Sequence, residues 1–341
     1  MLPSSKLGWY AAEVAEIGVI VNPRAKKNRR RPGRIARLCR RLEGVGAVAL
    51  TSSVDEIRPA VAQMLREGAR VLVSDGGDGA LHQVLHALDE LGAADDVLVM
   101  PTGGGTIDFV AQKVGVRRSA EQLVEQLVPY AIRGEVPPHV ALPSLLIDGV
   151  RVDGRRFRRR GFALAAGGIG QRFFEAYYQE PESGTRAILR VVRRGASGQL
   201  ARATHAPFSE RRAYAERLFR PTQARVTIDN EVLSATRHGA LHAGAFDIVL
   251  GPFRVFPFAR EPGAMHLQAG ELSAWDVLSN IPRLTTGSEI RADGLVETRG
   301  QHMSVEALGD ENLDPVIDGE LYFGLVSLGV RLGDPVRIAR P

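Results

Sequence analysis

The chain has 341 residues, 44% of them hydrophobic, which excludes both a single small core and a disordered chain. No apolar run reaches the roughly 18 to 20 residues that span a bilayer, and the opening MLPSSKLGWYAAEVAE lacks the charged-then-apolar order of a signal peptide, so a cytoplasmic protein is expected. Lys plus Arg outnumber Asp plus Glu by 44 to 39, and apart from Lys6, Lys26, Lys27 and Lys113 that charge is arginine, whose planar fork suits phosphate oxygens.

Residues 17–130 alternate between strand and helix signals. Ile17–Val21 is an apolar run ending at Asn22-Pro23. Over Arg34–Glu43, Ile35, Leu38, Cys39 and Leu42 share one helical face and Arg34, Arg37, Arg40 and Arg41 lie off it, so Cys39 is expected to be a buried thiol. Ala47–Leu50 reads as a strand, and Ser53 or Asp55 can cap the helix that follows. Val71–Val73 is a strand running into Asp75-Gly76-Gly77-Asp78-Gly79, and the next helix is expected to bury Leu81, Val84, Leu85, Leu88 and Leu91. Val97–Met100 leads into Pro101-Thr102-Gly103-Gly104-Gly105 and a helix expected over Thr106–Val114. Ser119 with Gln122 forms a capping-box pattern for one more helix. This alternation implies a mostly parallel sheet covered on both faces, with ligands beyond the carboxyl ends of its strands.

After Gly134-Glu135-Val136-Pro137-Pro138 short strand-like runs dominate, from Leu145–Val150 to Leu325–Leu332. They read as an antiparallel β domain with helical insertions near Gln171–Tyr178 and Ser209–Phe219. The domains are therefore 1–135 and 136–341.

The densest chemistry lies in the two glycine-rich turns. Gly76, Gly77 and Gly79 let the backbone approach a ligand closely, and the following helix points its positive end at the turn. Asp78 inside a phosphate-binding loop makes sense if it faces a Mg²⁺ that bridges phosphates. A tight turn with Asp78 as helix cap is the alternative. Thr102, Gly103, Gly104, Gly105, Thr106 and Asp108 repeat the logic one βα unit later, and the two loops can flank one triphosphate.

Val21-Asn22-Pro23, Gly76-Gly77-Asp78-Gly79 and Pro101–Ala111 with Asp108-Phe109 stand in the order and spacing of the diacylglycerol kinase catalytic domain, which the chain resembles. Ala166-Gly167-Gly168-Ile169-Gly170 and Ile317-Asp318-Gly319-Glu320 are similar to the family's later signatures. The resemblance implies a three-layer α/β nucleotide-binding domain, a C-terminal antiparallel β-sandwich whose last strand returns to the first domain, and an active site in the cleft between them. It implies ATP and Mg²⁺ as cofactors, held by Gly76, Gly77, Asp78 and Gly79 with Asn22 and Asp108 nearby. It gives Asp78 and Asp108 as the metal-side acids. Asp318 or Glu320 is the base for a lipid hydroxyl, at a membrane surface. The two acids alternate on an expected strand, so only one can face the site, and Asp318 is favoured.

Ala80 stands where the family has threonine and Ile107 where it has asparagine. Thr102 or Thr106 is expected to replace the lost hydroxyl contacts. A kinase of a soluble acceptor such as NAD, or a non-catalytic nucleotide- or lipid-binding member, is the competing reading. The basic run Arg24–Arg31 suits weak peripheral association with anionic membrane, or is a solvated loop. The cluster Arg155–Arg160 reads as a hairpin surface. Neither has the aromatic interleaving of a nucleic-acid surface, so no nucleic-acid partner is expected. His82 and His86 lack a third metal ligand. A homodimer is left open.

Overall fold

The computed structural model describes residues 8–11, 16–23, 28, 33–116, 118–204, 210–261 and 263–340. Apart from Asn28, the basic run Arg24–Arg31 lies outside them, as does Ser209. The chain forms two compact units, one running through Leu142 and taking in 335–341, the other Pro143–Asp334.

In the first unit, β1 (Gly8–Ala11), β2 (Ile17–Val21), β3 (Gly46–Leu50), β4 (Val71–Asp75) and β5 (Leu98–Pro101) form a sheet in the order β1-β3-β2-β4-β5. β2 to β5 run parallel, and β1 is an antiparallel edge strand. Ile338, near the chain's end, pairs in parallel with Val99. Nearly every residue of β2 to β5 is buried, as expected of a sheet covered on both faces. The cover is α1 (Arg34–Arg41), α2 (Ile57–Arg66), α3 (Asp78–Glu90), α4 (Phe109–Lys113) and α5 (Ala120–Arg133). The Ser119–Gln122 capping box forms, and Gly134 closes α5 at φ 65.

Two expectations are corrected here. α1 buries Arg34 and Leu38, while Ile35 and Cys39 are only half-buried, so the arginine heads the inner stripe and Cys39 is not a core thiol. α4 starts at Phe109 rather than Thr106, because Asp108 adopts left-handed backbone (φ 55, ψ 42) that ends the turn before the helix begins.

β6 (His139–Arg151) carries the chain into the second unit. There follow β7 (Arg156–Gly161), β8 (Ala163–Gly167), α6 (Gly168–Tyr178), α7 (Thr185–Ala203), α8 (Glu210–Leu218), β9 (Thr222–Ile228), β10 (Glu231–Val232), β11 (Arg237–His238) and β12 (Ala240–Gly244). Then come β13 (Ile248–Leu250), β14 (Phe253–Val255), β15 (Met265–Gly270), α9 (Ala274–Ser279), α10 (Ile281–Thr286), β16 (Leu295–Gly300), β17 (His302–Ala307), β18 (Val316–Ile317), β19 (Glu320–Leu321) and β20 (Leu325–Ala339). One antiparallel layer includes β20-β17-β9-β10, and the other runs β16-β15-β12-β8-β18-β19. Val226, Met303 and Val305 from the first layer are buried, as are Leu164, Leu241 and Leu267 from the second. The long α7 was not expected. Among the described residues no helix is long and apolar enough to cross a membrane.

Candidate active site

Both glycine turns leave the carboxyl ends of neighbouring parallel strands, with Ser74 in register with Pro101. They lock together. Thr102 N–H donates to Ser74 O at 3.2 Å, and Gly104 N–H to Gly76 O at 3.1 Å. A Cβ on Gly104 would lie 2.5 Å from Gly76 O, and one on Gly77 would lie 2.7 Å from Gly105 Cα. These glycines are therefore required by each other's backbone. Part of the amide supply expected for a ligand is spent inside the pair. The opening of α3 remains, because Gly77 caps it in extended conformation without a side-chain hydrogen bond. Its first amides have no intrahelical acceptor, and its dipole is positive there.

The two acids tie the turns from either side. Asp78 accepts from Phe109 N–H at 3.2 Å and Val110 N–H at 3.3 Å, so it caps α4 from the neighbouring unit of the sheet. Asp108 Oδ1 accepts from Gly105 N–H at 2.8 Å and lies 3.8 Å from where a Gly77 Cβ would sit. Asn22 joins from β2: its N–H donates to Asp75 O at 3.3 Å, and its carbonyl accepts from Asn28 Nδ2 at 2.7 Å.

Beside the turns is a buried charge cluster that sequence reasoning missed. Arg34 Nη2 lies 2.9 Å from Asp75 Oδ1, and Arg34 Nε 2.9 Å from Glu121 Oε2, with all three side chains buried. Burial pushes the Asp75 carboxyl above its ordinary range, and Arg34 and Thr102 only partly offset this. Burial opposes the charge on Glu121 too, but there the hydrogen bond from Arg34 prevails and holds the carboxyl below its usual range. A charged residue ending a buried strand requires a partner, so Asp75 was the available signal. Its partner lay 41 residues away and could not be read.

A cavity of about 540 Å³ opens here, lined by Asp75, Thr102, Gly103 and Gly104 and faced by Arg37 and Arg118. Asp75 Oδ2 has no hydrogen-bond partner among the described residues. Thr102 is buried, and its hydroxyl is within 3.3 Å of Asp75 Oδ1 and 3.4 Å of Gly76 O. Thr106, the other threonine of the loop, is exposed.

Asp318 and Glu320 lie in the second unit. The expectation that they alternate on one strand is not met. Ile317 pairs with Glu320, and Asp318 (φ 51) with Gly319 (φ 89) makes the two-residue turn between β18 and β19. Positive φ at both positions is the type I′ signature, for which Asp-Gly is a preferred pair. Asp318 Oδ1 accepts from Phe162 N–H at 2.8 Å and Ala163 N–H at 2.9 Å, pinning the crossing from β7 to β8. Glu320 is half-buried.

Residues 16–134, the span of the parallel sheet and both turns, match the model of the diacylglycerol kinase catalytic domain. The matched span is about a third of the chain. A crystal structure from Bacillus anthracis str. Sterne, assigned provisionally as a diacylglycerol kinase, superposes with a TM-score of 0.61 at 12% identity, covering 95% of this chain and 96% of that one. A second diacylglycerol kinase structure from the same organism gives 0.56 at 10% identity, covering 97% and 98%. At that identity the likeness is one of fold. No curated protein matches in sequence.

Proposed function

We propose that the chain is an ATP- and Mg²⁺-dependent kinase that phosphorylates a lipid hydroxyl. The observation that carries this reading is the interlocked pair of glycine turns, with Asp78 and Asp108 set at the N-terminus of α3. The match of the first domain to the diacylglycerol kinase catalytic-domain model supports the kinase part.

Two carboxylates beside a glycine turn fit the donor chemistry of Mg²⁺, a hard ion that takes one or two carboxylates and completes its shell with phosphate and water. Bound with nucleotide, such an ion would supply charge neutralisation at the transferred phosphoryl group. The chain's own residues do the rest. Gly76, Gly77 and Gly79 and the opening turn of α3 hold phosphate oxygens, Asn22 closes the turn from β2, and Thr106 supplies a hydroxyl. The unpartnered oxygen of Asp75 is an acceptor for a nucleotide hydroxyl in the adjoining cavity. For the acceptor proton the candidates are Asp318, whose Oδ1 accepts from two backbone amides, and Glu320.

Transfer of labelled γ-phosphate from ATP to extracted lipids, resolved by thin-layer chromatography, tests the reading. Labelled lipid is the expected product. Labelled NAD in place of lipid would make the protein a kinase of a soluble acceptor. Nucleotide binding without any labelled product would make it a non-catalytic binder, the outcome that Ala80 and Ile107 motivate.

A further inference from the structure

The tip of the β6–β7 hairpin meets the loop leading into β20. Val152 N–H donates to Gly324 O at 2.9 Å, and Arg151 Nη1 to Phe323 O at 2.8 Å. Phe323 is 59% exposed and Val152 62%, with Val150 at 38% and Val326 at 40% nearby in the chain. Single exposed apolar residues are ordinary on a protein surface, but adjoining ones at loop tips mark interaction sites. Charge surrounds these tips. Arg151 and Arg159 each stack 5.2 Å from the centre of the Phe157 ring, and Arg159 lies 5.1 Å from that of Tyr322. Arg155, Arg156 and Arg158 are exposed. Against these five arginines stand Asp153, paired with Arg155, Asp148, opposite Arg158 across the hairpin, and Asp314, bonded to Gly324 N–H.

We propose that this patch docks the protein on an anionic lipid bilayer. Phe323 and Val152 enter the interfacial layer, and the arginines meet lipid phosphates. The surface has the two components such docking needs, protruding apolar side chains and a basic surround. A single-stranded nucleic acid fits less well. Phe157 is buried, and Tyr322 is covered by Arg159, so neither ring offers a free face for a base. The inference goes beyond the kinase reading and does not rest on it, since docking requires no nucleotide.

The test is sedimentation of the full chain with vesicles, without ATP. Vesicles of phosphatidylcholine with 30% phosphatidylglycerol are compared with pure phosphatidylcholine and with polyuridylate. Wild type is expected to bind the anionic vesicles and to be released by salt. Arg156→Glu with Arg158→Glu is expected to weaken binding about thirtyfold or more, and Phe323→Ser with Val152→Ser about tenfold. Melting curves are expected to be unchanged, because all four side chains are exposed. Leu189→Ser with Leu200→Ser, two exposed leucines on α7, is expected to bind as wild type. Phe323→Trp is expected to shift its added emission to the blue on anionic vesicles only. The proposal is overturned if the patch variants bind like wild type, if the α7 variant alone loses binding, if both vesicle types bind equally, or if polyuridylate is preferred. Vesicle binding without kinase activity would leave docking standing and remove the kinase reading.

Discussion

Arg34 and Asp75 form an ion pair at 2.9 Å in which both side chains are buried, linking the start of α1 to the last residue before the first glycine turn. Removing one partner of such a pair leaves an uncompensated buried charge. Arg34→Met is therefore expected to cost about 3 to 5 kcal/mol in urea denaturation, because it strands both Asp75 and Glu121. Arg34→Met with Asp75→Leu is expected to recover part of that loss. A single mutant as stable as wild type would show that the cluster does not hold α1 in place.

Asp78 gives a different pattern, since it caps α4 and faces the turn. Asp78→Asn keeps an oxygen for Phe109 or Val110 N–H but loses the charge. It is expected to fold normally and to lose about 10²- to 10³-fold in phosphate transfer. Asp78→Ala is expected to lose the cap as well, about 1 kcal/mol in stability. Equal activity of wild type and Asp78→Asn would remove Asp78 from the metal and phosphate machinery.

The parallel half of the fold was legible because β2, β3, β4 and β5 are short apolar runs, each followed by helical periodicity, and the turns between them carry glycine. What escaped depends on distant partners or on residues that mimic another pattern. Arg34 looked like a surface arginine because Asp75 and Glu121, which accept it inside, are 41 and 87 residues away. α7 was missed because its inner face carries Gly195 and Gly198 between Val191 and its end. A Cβ at 198 would fall 2.1 Å from Arg211 O, so close packing on α8 replaced the apolar residue that would have marked the helix. Asp318-Gly319 is a hairpin pair, but strand residues on both sides led it to be read as part of one strand.

His266 and Glu297 make a pH prediction for the second unit. His266 Nε2 lies 3.4 Å from Glu297 Oε1, both side chains are almost fully buried, and Gln268 joins Glu297 to His242 on the neighbouring strand. The contact has ion-pair geometry, but burial favours the neutral forms, raising Glu297 to about 7 and lowering His266 to about 3. A raised carboxyl contributes stability that is complete below its unfolded value of 4.5 and is lost as pH rises through 7. A depressed imidazole contributes stability that is complete above 6.5 and is lost as pH falls towards 3. Between pH 4.5 and 6.5 the two slopes oppose each other, so the pair adds little pH dependence there. Glu297→Gln is expected to unmask a stability that rises with pH across this window. His266→Gln is expected to unmask one that falls, each by about 1.4 kcal/mol per pH unit at most. Thermal melts of the three proteins at half-unit steps decide. Parallel curves for all three would show that neither group titrates as described.

The last prediction separates the two threonines of the second turn. The Thr102 hydroxyl is buried against Asp75 and Gly76 O, whereas Thr106 is exposed in the same loop. Thr102→Val removes a hydrogen bond from a carboxylate whose second oxygen already lacks a partner. It is expected to cost about 1 to 3 kcal/mol in stability. Thr106→Ala is expected to leave stability unchanged and to weaken Mg-ATP binding about tenfold, the worth of one hydrogen bond to a charged phosphate. Ala80→Thr bears on the same question. The Ala80 Cβ lies 2.4 Å from where a Gly76 Cβ would sit, so position 80 packs on the first turn, and a hydroxyl there would add a donor beside the phosphate loop. If Thr106 already supplies that contact, Ala80→Thr gains less than about threefold in affinity. Calorimetric titration of the four proteins with Mg-ATP reads these differences directly. No binding by wild type at millimolar ATP, together with clear binding by Ala80→Thr, would show that Thr106 does not compensate and that the chain is a weak nucleotide binder.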